Sequence, residues 1–146
     1  MDWIQKIKAI VAMIFGAITA WLGVLAVPVY MLVLCNAIDY GTGIAAAWKR
    51  GEQVSSYKGL RGIAKKVCMW MLIAVGAILD WLLLYAGEAL KTEVHLPMLA
   101  ASLTAVWLIC NELLSILENV RDMGIPLPGF LEKLVNIVKQ STTEKE

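Results

Sequence analysis

Carboxylates and amides are scarce inside the apolar runs of this chain, and those present recur at helical spacing. At 100° per residue, Asn36, Asp39, Tyr40, Gly43 and Ala47 fall within about 100° of arc on one helix, Gly76, Asp80 and Gly87 within about 40° on another, and Asn111, Glu112, Ser115, Glu118 and Asn119 within about 120° on a third. A carboxylate near a bilayer centre costs about 2.5–3.5 kcal/mol on insertion scales, so each must face protein, water or a headgroup. Two readings are open. The faces pack against one another within one chain, small residues letting backbones approach, or they meet between subunits and line a wet opening.

Other chemistry lacks candidates. His95 is the single histidine, so no Ser-His-Asp or Cys-His arrangement can be assembled, and no catalytic residue is assigned. Cys35, Cys68 and Cys110 sit in or beside apolar blocks without a CxxC spacing; they read as small apolar fillers, and no metal or cofactor is expected. Gly41-Thr42-Gly43 is too short for a phosphate-binding fingerprint.

The elements that must position the polar faces follow from composition. Of 146 residues 60% are hydrophobic and 17% charged, with a mean hydropathy of +0.70, against about a quarter charged in soluble domains. A net charge of +1 gives no basic surplus for nucleic acid. Apolar blocks separated by bunched charges are the layout of an integral membrane protein, and the fold class expected is all-α, a polytopic membrane protein with three to four transmembrane helices and a C-terminal amphipathic helix.

Lys6 and Lys8 precede thirty uncharged residues, 9–38, about 45 Å as one helix against a hydrocarbon core of about 30 Å. The run is too long for a signal peptide and reads as retained. With Gly23 and Pro28 near its middle, it is expected to form a hairpin, with spans at about 9–25 and 27–48; one long tilted span is the rival. A basic loop, 49–66, follows, with Lys49, Arg50, Lys58, Arg61, Lys65 and Lys66 against Glu52 alone. Further spans are expected at about 67–87 and 97–117, joined by a connector carrying Glu88, Lys91 and Glu93. The positive-inside rule puts the basic loop and the C-terminus in the cytoplasm and favours four spans, since the hairpin places Lys6 and Lys8 on that side too. The basic loop is read as a topology signal, with anionic lipid headgroups as an alternative ligand. The chain thus divides into a transmembrane domain, 1–120, and a cytoplasmic tail, 121–146. Pro126 and Pro128 stop any continuing helix. Beyond them Phe130, Leu131, Leu134, Val135, Ile137 and Val138 occupy an arc of about 160°, an amphipathic helix suited to a membrane surface or a partner. The end, 141–146, reads as frayed.

Three segments together resemble a known family: Asp39-Tyr40-Gly41-Thr42-Gly43; Ser55-Ser56 with Gly59, Gly62, Lys65 and Lys66; and Asn111-Glu112-Leu113-Leu114-Ser115-Ile116-Leu117-Glu118-Asn119. With Asp80 between them and Gly124, Pro126, Pro128 and Leu131 after them, the order is similar to that of the phage holins that include the clostridial toxin-secretion holins. The match covers about 30–135; the first hairpin departs most from the family pattern. The resemblance implies a protein of the host bacterial inner membrane that oligomerises with itself among membrane lipids and at a set time opens holes, releasing an endolysin or a large toxin, with an antiholin as a possible regulator. An antiholin or a membrane adaptor docking through the amphipathic tail is the alternative reading. A small multidrug-type transporter fits less well, because it would need a carboxylate in the first helix, and 9–25 has none.

Overall fold

The computed structural model describes residues 2–52, 56–92 and 98–143; within these, the side chains of 56–58, 61, 139 and 141–143 are left aside. The described residues form helices and connecting turns: α1 (Trp3–Leu22), a short 3-10 turn (Gly23–Leu25), α2 (Ala26–Lys49), α3 (Ser56–Ala89), α4 (Leu99–Asp122) and α5 (Gly129–Thr143). The expected all-α membrane architecture is found. Three stretches are long and apolar enough to cross a membrane, Trp3–Lys49, Gly62–Ala89 and Leu99–Asp122.

The first stretch is not straight. Gly23 has φ +54, a conformation that glycine adopts without a Cβ penalty, and Pro28 sits in the first turn of α2, where its missing N–H is harmless. The Phe15 and Tyr30 rings stack with centroids 4.9 Å apart, and the Thr19 and Tyr30 hydroxyls share a hydrogen bond of 2.7 Å. On a straight helix fifteen residues span about 22 Å, so the chain turns sharply at Gly23. Apart from these contacts near the turn, α1 is exposed along its length, with no buried residue.

The polar segment expected as a loop is largely helical. Arg50 and Gly51 turn after α2, residues 53–55 lie outside the described residues, and α3 is already helical at Ser56. Nothing in 56–66 breaks a helix with proline, and Gly59, Gly62 and Lys66 lie on the same face as Met69, Ile73, Gly76 and Asp80, so the core-facing stripe of α3 simply runs on into the basic region. The connector residues 93–97, including Glu93 and His95, lie outside the described residues, as do 144–146 of the end read as frayed; Ser141, Thr142 and Thr143 close α5.

α4 is the central helix of the packed part, with α2 and α3 both laid along it. The core is small: Leu32 from α2, Met69 and Ile73 from α3, Ala105 and Leu108 from α4. The large apolar side chains elsewhere, among them Ile10, Ile14, Val33, Leu79, Leu83 and Leu103, point outward, as lipid rather than water would require. Trp3 opens α1 and Trp48 lies near the close of α2, Trp21 sits beside the turn between them, and Trp81 and Tyr85 lie towards the end of α3, all exposed, positions suited to headgroup belts.

The α3–α4 contact has its own lock. Asp80, 2% exposed, accepts hydrogen bonds from the backbone N–H groups of Ala100 (2.9 Å) and Ala101 (2.8 Å). The first amides of a helix have no partners within it and carry its positive dipole end, and no side chain of α4's own caps them; Asp80 does so from the neighbouring helix. One turn away, a Cβ on Gly76 would stand 2.9 Å from the Ala101 Cα, so the backbones meet where only hydrogen fits. Gly76→Val is therefore expected to destabilise the α3–α4 pair by about 1–3 kcal/mol through overpacking. Asp80→Leu is expected to cost about 1–3 kcal/mol for each amide it leaves unpaired. Gly43→Ala, whose new Cβ would make an ordinary 3.6 Å contact with Asn119 Nδ2, should be tolerated. Apparent melting temperatures of the detergent-solubilised variants by size exclusion check the order.

Candidate functional site: a lysine shared by two carboxylates among three helices

The second polar cluster ties all three packed helices together. The Lys66 ammonium of α3 donates to Asn36 Oδ1 (3.1 Å) and Asp39 Oδ2 (2.9 Å) of α2 and to Glu112 Oε2 of α4. An ammonium has three N–H donors, and each finds an acceptor. The other oxygen of Asp39 is held in turn, since Asn119 Nδ2 donates to Asp39 Oδ1 (3.2 Å) and to Thr42 Oγ1 (3.2 Å). The side chains are 19% (Lys66), 16% (Asp39) and 6% (Glu112) exposed, so the pairs are shielded, and among the described residues no buried side-chain polar atom is left without a partner. One ammonium is thus shared between two acidic side chains.

The residues singled out from sequence fare unevenly. Asn36, Asp39, Glu112 and Asn119 are brought together in this network, Gly43 lies against Asn119, and Ser115 lines the space beside it. Gly76 and Asp80 form the separate α3–α4 lock. Tyr40, 100° around the helix from Asp39, makes no bond in the network; it is half exposed and lines a pocket beside Asp39, Gly43 and Asn119. Asn111 and Glu118 line an open cleft between α3 and α4 of about 810 Å³.

The basic group divides in a way the loop reading did not foresee. Lys66 belongs to the interior network. Lys49 is exposed, Lys65 lines the cleft, and Arg50 bonds Glu52 (2.9 Å) and Asp122 (2.6 Å), joining the ends of α2 and α4. The Glu52 hydrogen bond, above all, holds the Arg50 guanidinium above its ordinary value, so it stays charged. The side chains of Lys58 and Arg61 lie outside the described residues. The three cysteines are free, Cys35 buried and Cys68 and Cys110 exposed. The missed signal for Lys66 was available in the sequence: it stands three, seven, ten and fourteen residues before Met69, Ile73, Gly76 and Asp80, on the one inward stripe of α3.

Removing one member of a shielded ion pair leaves an uncompensated charge and costs about 3–5 kcal/mol, whereas replacing all members with neutral groups of similar size is often nearly neutral. Lys66→Met is expected to abolish monodisperse recovery from membranes, and Lys66→Met with Asp39→Asn and Glu112→Gln to restore most of it. Fluorescence-detected size exclusion of tagged protein at matched expression reads both.

A sequence model of the bacteriophage holin family matches residues 16–140, most of the chain. An uncharacterized protein of Halalkalibacterium halodurans is 35% identical over 128 residues, covering 88% of this chain and 90% of its own. An uncharacterized 14.9 kDa protein of Clostridium perfringens is 34% identical, covering 89% of each. A probable holin of Bacillus phage phi105 is 29% identical over 115 residues, 79% of this chain and 76% of the phage protein. No solved structure matches. The spans, the ordered polar motifs and these matches agree, and the chain belongs to the bacteriophage holin family.

Proposed function

We propose that this protein is a holin that accumulates in the cytoplasmic membrane of a bacterial host, assembles with copies of itself and opens holes at a programmed time, letting an endolysin or a large toxin pass. The observation that carries the reading is the polar network at the junction of three apolar helices. Lipid tails are as apolar as leucine, so aliphatic contact alone does little to hold helices together in a membrane; Lys66, Asp39, Glu112, Asn36 and Asn119 form a set that is satisfied within one chain and borders an open cleft. Such groups can exchange a protein neighbour for water when helices rearrange. The dispersed form keeps them paired; in an assembled ring the α4 stripe with Asn111, Ser115 and Glu118 would turn to the opening.

The topology of this reading is a hairpin of α1 and α2 followed by two single spans. The turn at Gly23 and the exposed aromatic residues support it, and the positive-inside rule then sets Lys6, Lys8, Lys49, Arg50, Lys65 and the tail from Arg121 onward in the cytoplasm. α5 rests on the bundle through buried Val135 and leaves Phe130, Leu134 and Ile137 exposed, as suits a helix lying at the inner headgroup level.

Expression from an inducible promoter in bacteria tests the function. A lag followed by sudden loss of membrane potential is expected, with lysis only when an endolysin lacking its own export signal is co-expressed. Glu112→Leu and Glu118→Leu should shift the time of dye release or the hole size at equal expression; unchanged timing and size would remove the α4 stripe from the mechanism. Accumulation in the membrane without depolarisation would make the protein an antiholin or adaptor.

A further inference from the structure

α5 carries two apolar ridges, and the bundle takes one of them. Leu131, Val135 and Val138 fall within about 60° of arc, and Phe130, Leu134 and Ile137 fall within about 60° beside them. On the first ridge Val135 is 1% exposed, Leu131 is partly buried, and Val138 lines the 810 Å³ cleft together with Lys65, Ser115 and Glu118. The second ridge is exposed.

The seat is a light one. Val135 is the one fully buried side chain of α5 among the described residues, and the bond from Arg121 Nη1 to Asn136 Oδ1 is 3.3 Å long and exposed. A non-helical stretch, 123–128, joins α5 to α4; Gly124 has φ +83, and Pro126 and Pro128 stop the α4 helix from running on. The bonds of Lys66 and Asp80 that lock the bundle are made among α2, α3 and α4 and include no residue of α5, so α5 can lift without breaking them first. A lipid surface offers the competing seat, because a helix lying flat on it buries an arc wide enough for both ridges.

We infer that α5 is an autoinhibitory strap. Seated on the bundle through Leu131, Val135 and Val138, it closes the Glu118 end of the cleft. Transferred to the membrane surface, it uncovers the α4 stripe at Ser115 and Glu118. The two seats compete for the same apolar arc, so anything that favours one ridge over the other shifts the balance between them. The inference rests on the holin reading above for what the strap restrains, but not for the two seats themselves.

Labelling and leak from one preparation test the strap. The full chain, with Cys35, Cys68 and Cys110 replaced by alanine and Ser115→Cys added, is reconstituted into dye-loaded vesicles of phosphatidylethanolamine and phosphatidylglycerol and treated with a water-soluble maleimide. Val135→Asp, which spoils the bundle seat, is expected to speed labelling several-fold. Phe130→Gln with Ile137→Gln, which spoils only the ridge offered to lipid, is expected to slow it; a misfolded tail would not move the two in opposite directions. Equal labelling across the three chains, or faster labelling in both variants, would overturn the strap. In a second chain with Ser115 restored, Val138→Cys and Leu114→Cys are joined by a short, reducible bifunctional thiol reagent; dye release should fall several-fold and return on reduction. Failure of the pair to link, or release at the unlinked rate, would likewise overturn it. The holin reading fails separately: labelling that shifts in both directions with no dye release from any chain upholds the strap and overturns the hole, whereas release with labelling unchanged overturns the strap alone.

Discussion

One ammonium group holds three helices in register. Apolar packing between membrane helices is weakly specific, because lipid tails offer the same dispersion contacts as leucine does, and the aliphatic core here is small. Lys66 supplies what the core lacks: its three donors point to α2 twice and to α4 once, so sliding or rotating any one helix by a residue strands a charge in apolar surroundings. Asn119 extends the constraint by fixing the second oxygen of Asp39. At the other end of the bundle Asp80 and Gly76 pin α3 to the start of α4. Two polar locks, one at each end of the α3–α4 contact, define the bundle, and the space between them is filled by Met69, Ile73, Ala105 and Leu108.

The same arrangement is built to be left. A polar lock is stable while every member is paired and costly when one partner moves away, so any rearrangement that breaks this one is expected to be cooperative instead of gradual. Asp39 and Glu112 both line an open cleft, so the network lies next to space that water can enter. α1 stands apart from these locks: a long apolar helix joined by a glycine turn, touching α2 through Phe15 and Thr19 and with no buried residue.

How much of this could be read beforehand depended on whether a residue stood out against its surroundings. Asp39, Asp80 and Glu112 were legible because a carboxylate in an apolar run has few places to go, and Asn36 and Asn119 followed by helical spacing. Lys66 was hidden among five other basic residues, where a topology signal and an interior ion pair look alike until the stripe of α3 is carried upstream of the apolar block. Capping of α4 by Asp80 joins groups about twenty residues apart, and no local pattern encodes such a bond. Tyr40 stands at the rim of the polar face of α2, lining a pocket with Asp39, Gly43 and Asn119 while half exposed. The turn in the first run was legible from Gly23 and Pro28, but the absence of packing along α1 was not, since amphipathic pattern disappears in a helix surrounded by lipid.

The central claim, that Lys66 is shared between Asp39 and Glu112 inside the bundle, is tested most directly by solid-state NMR of the protein in lipid bilayers, with nitrogen-15 in lysine and carbon-13 in aspartate and glutamate. Through-space correlations are expected from a single lysine Nζ to one aspartate and one glutamate carboxylate, both lost together in Lys66→Met. A Lys66 ammonium in contact with water and correlated with neither carboxylate would contradict it.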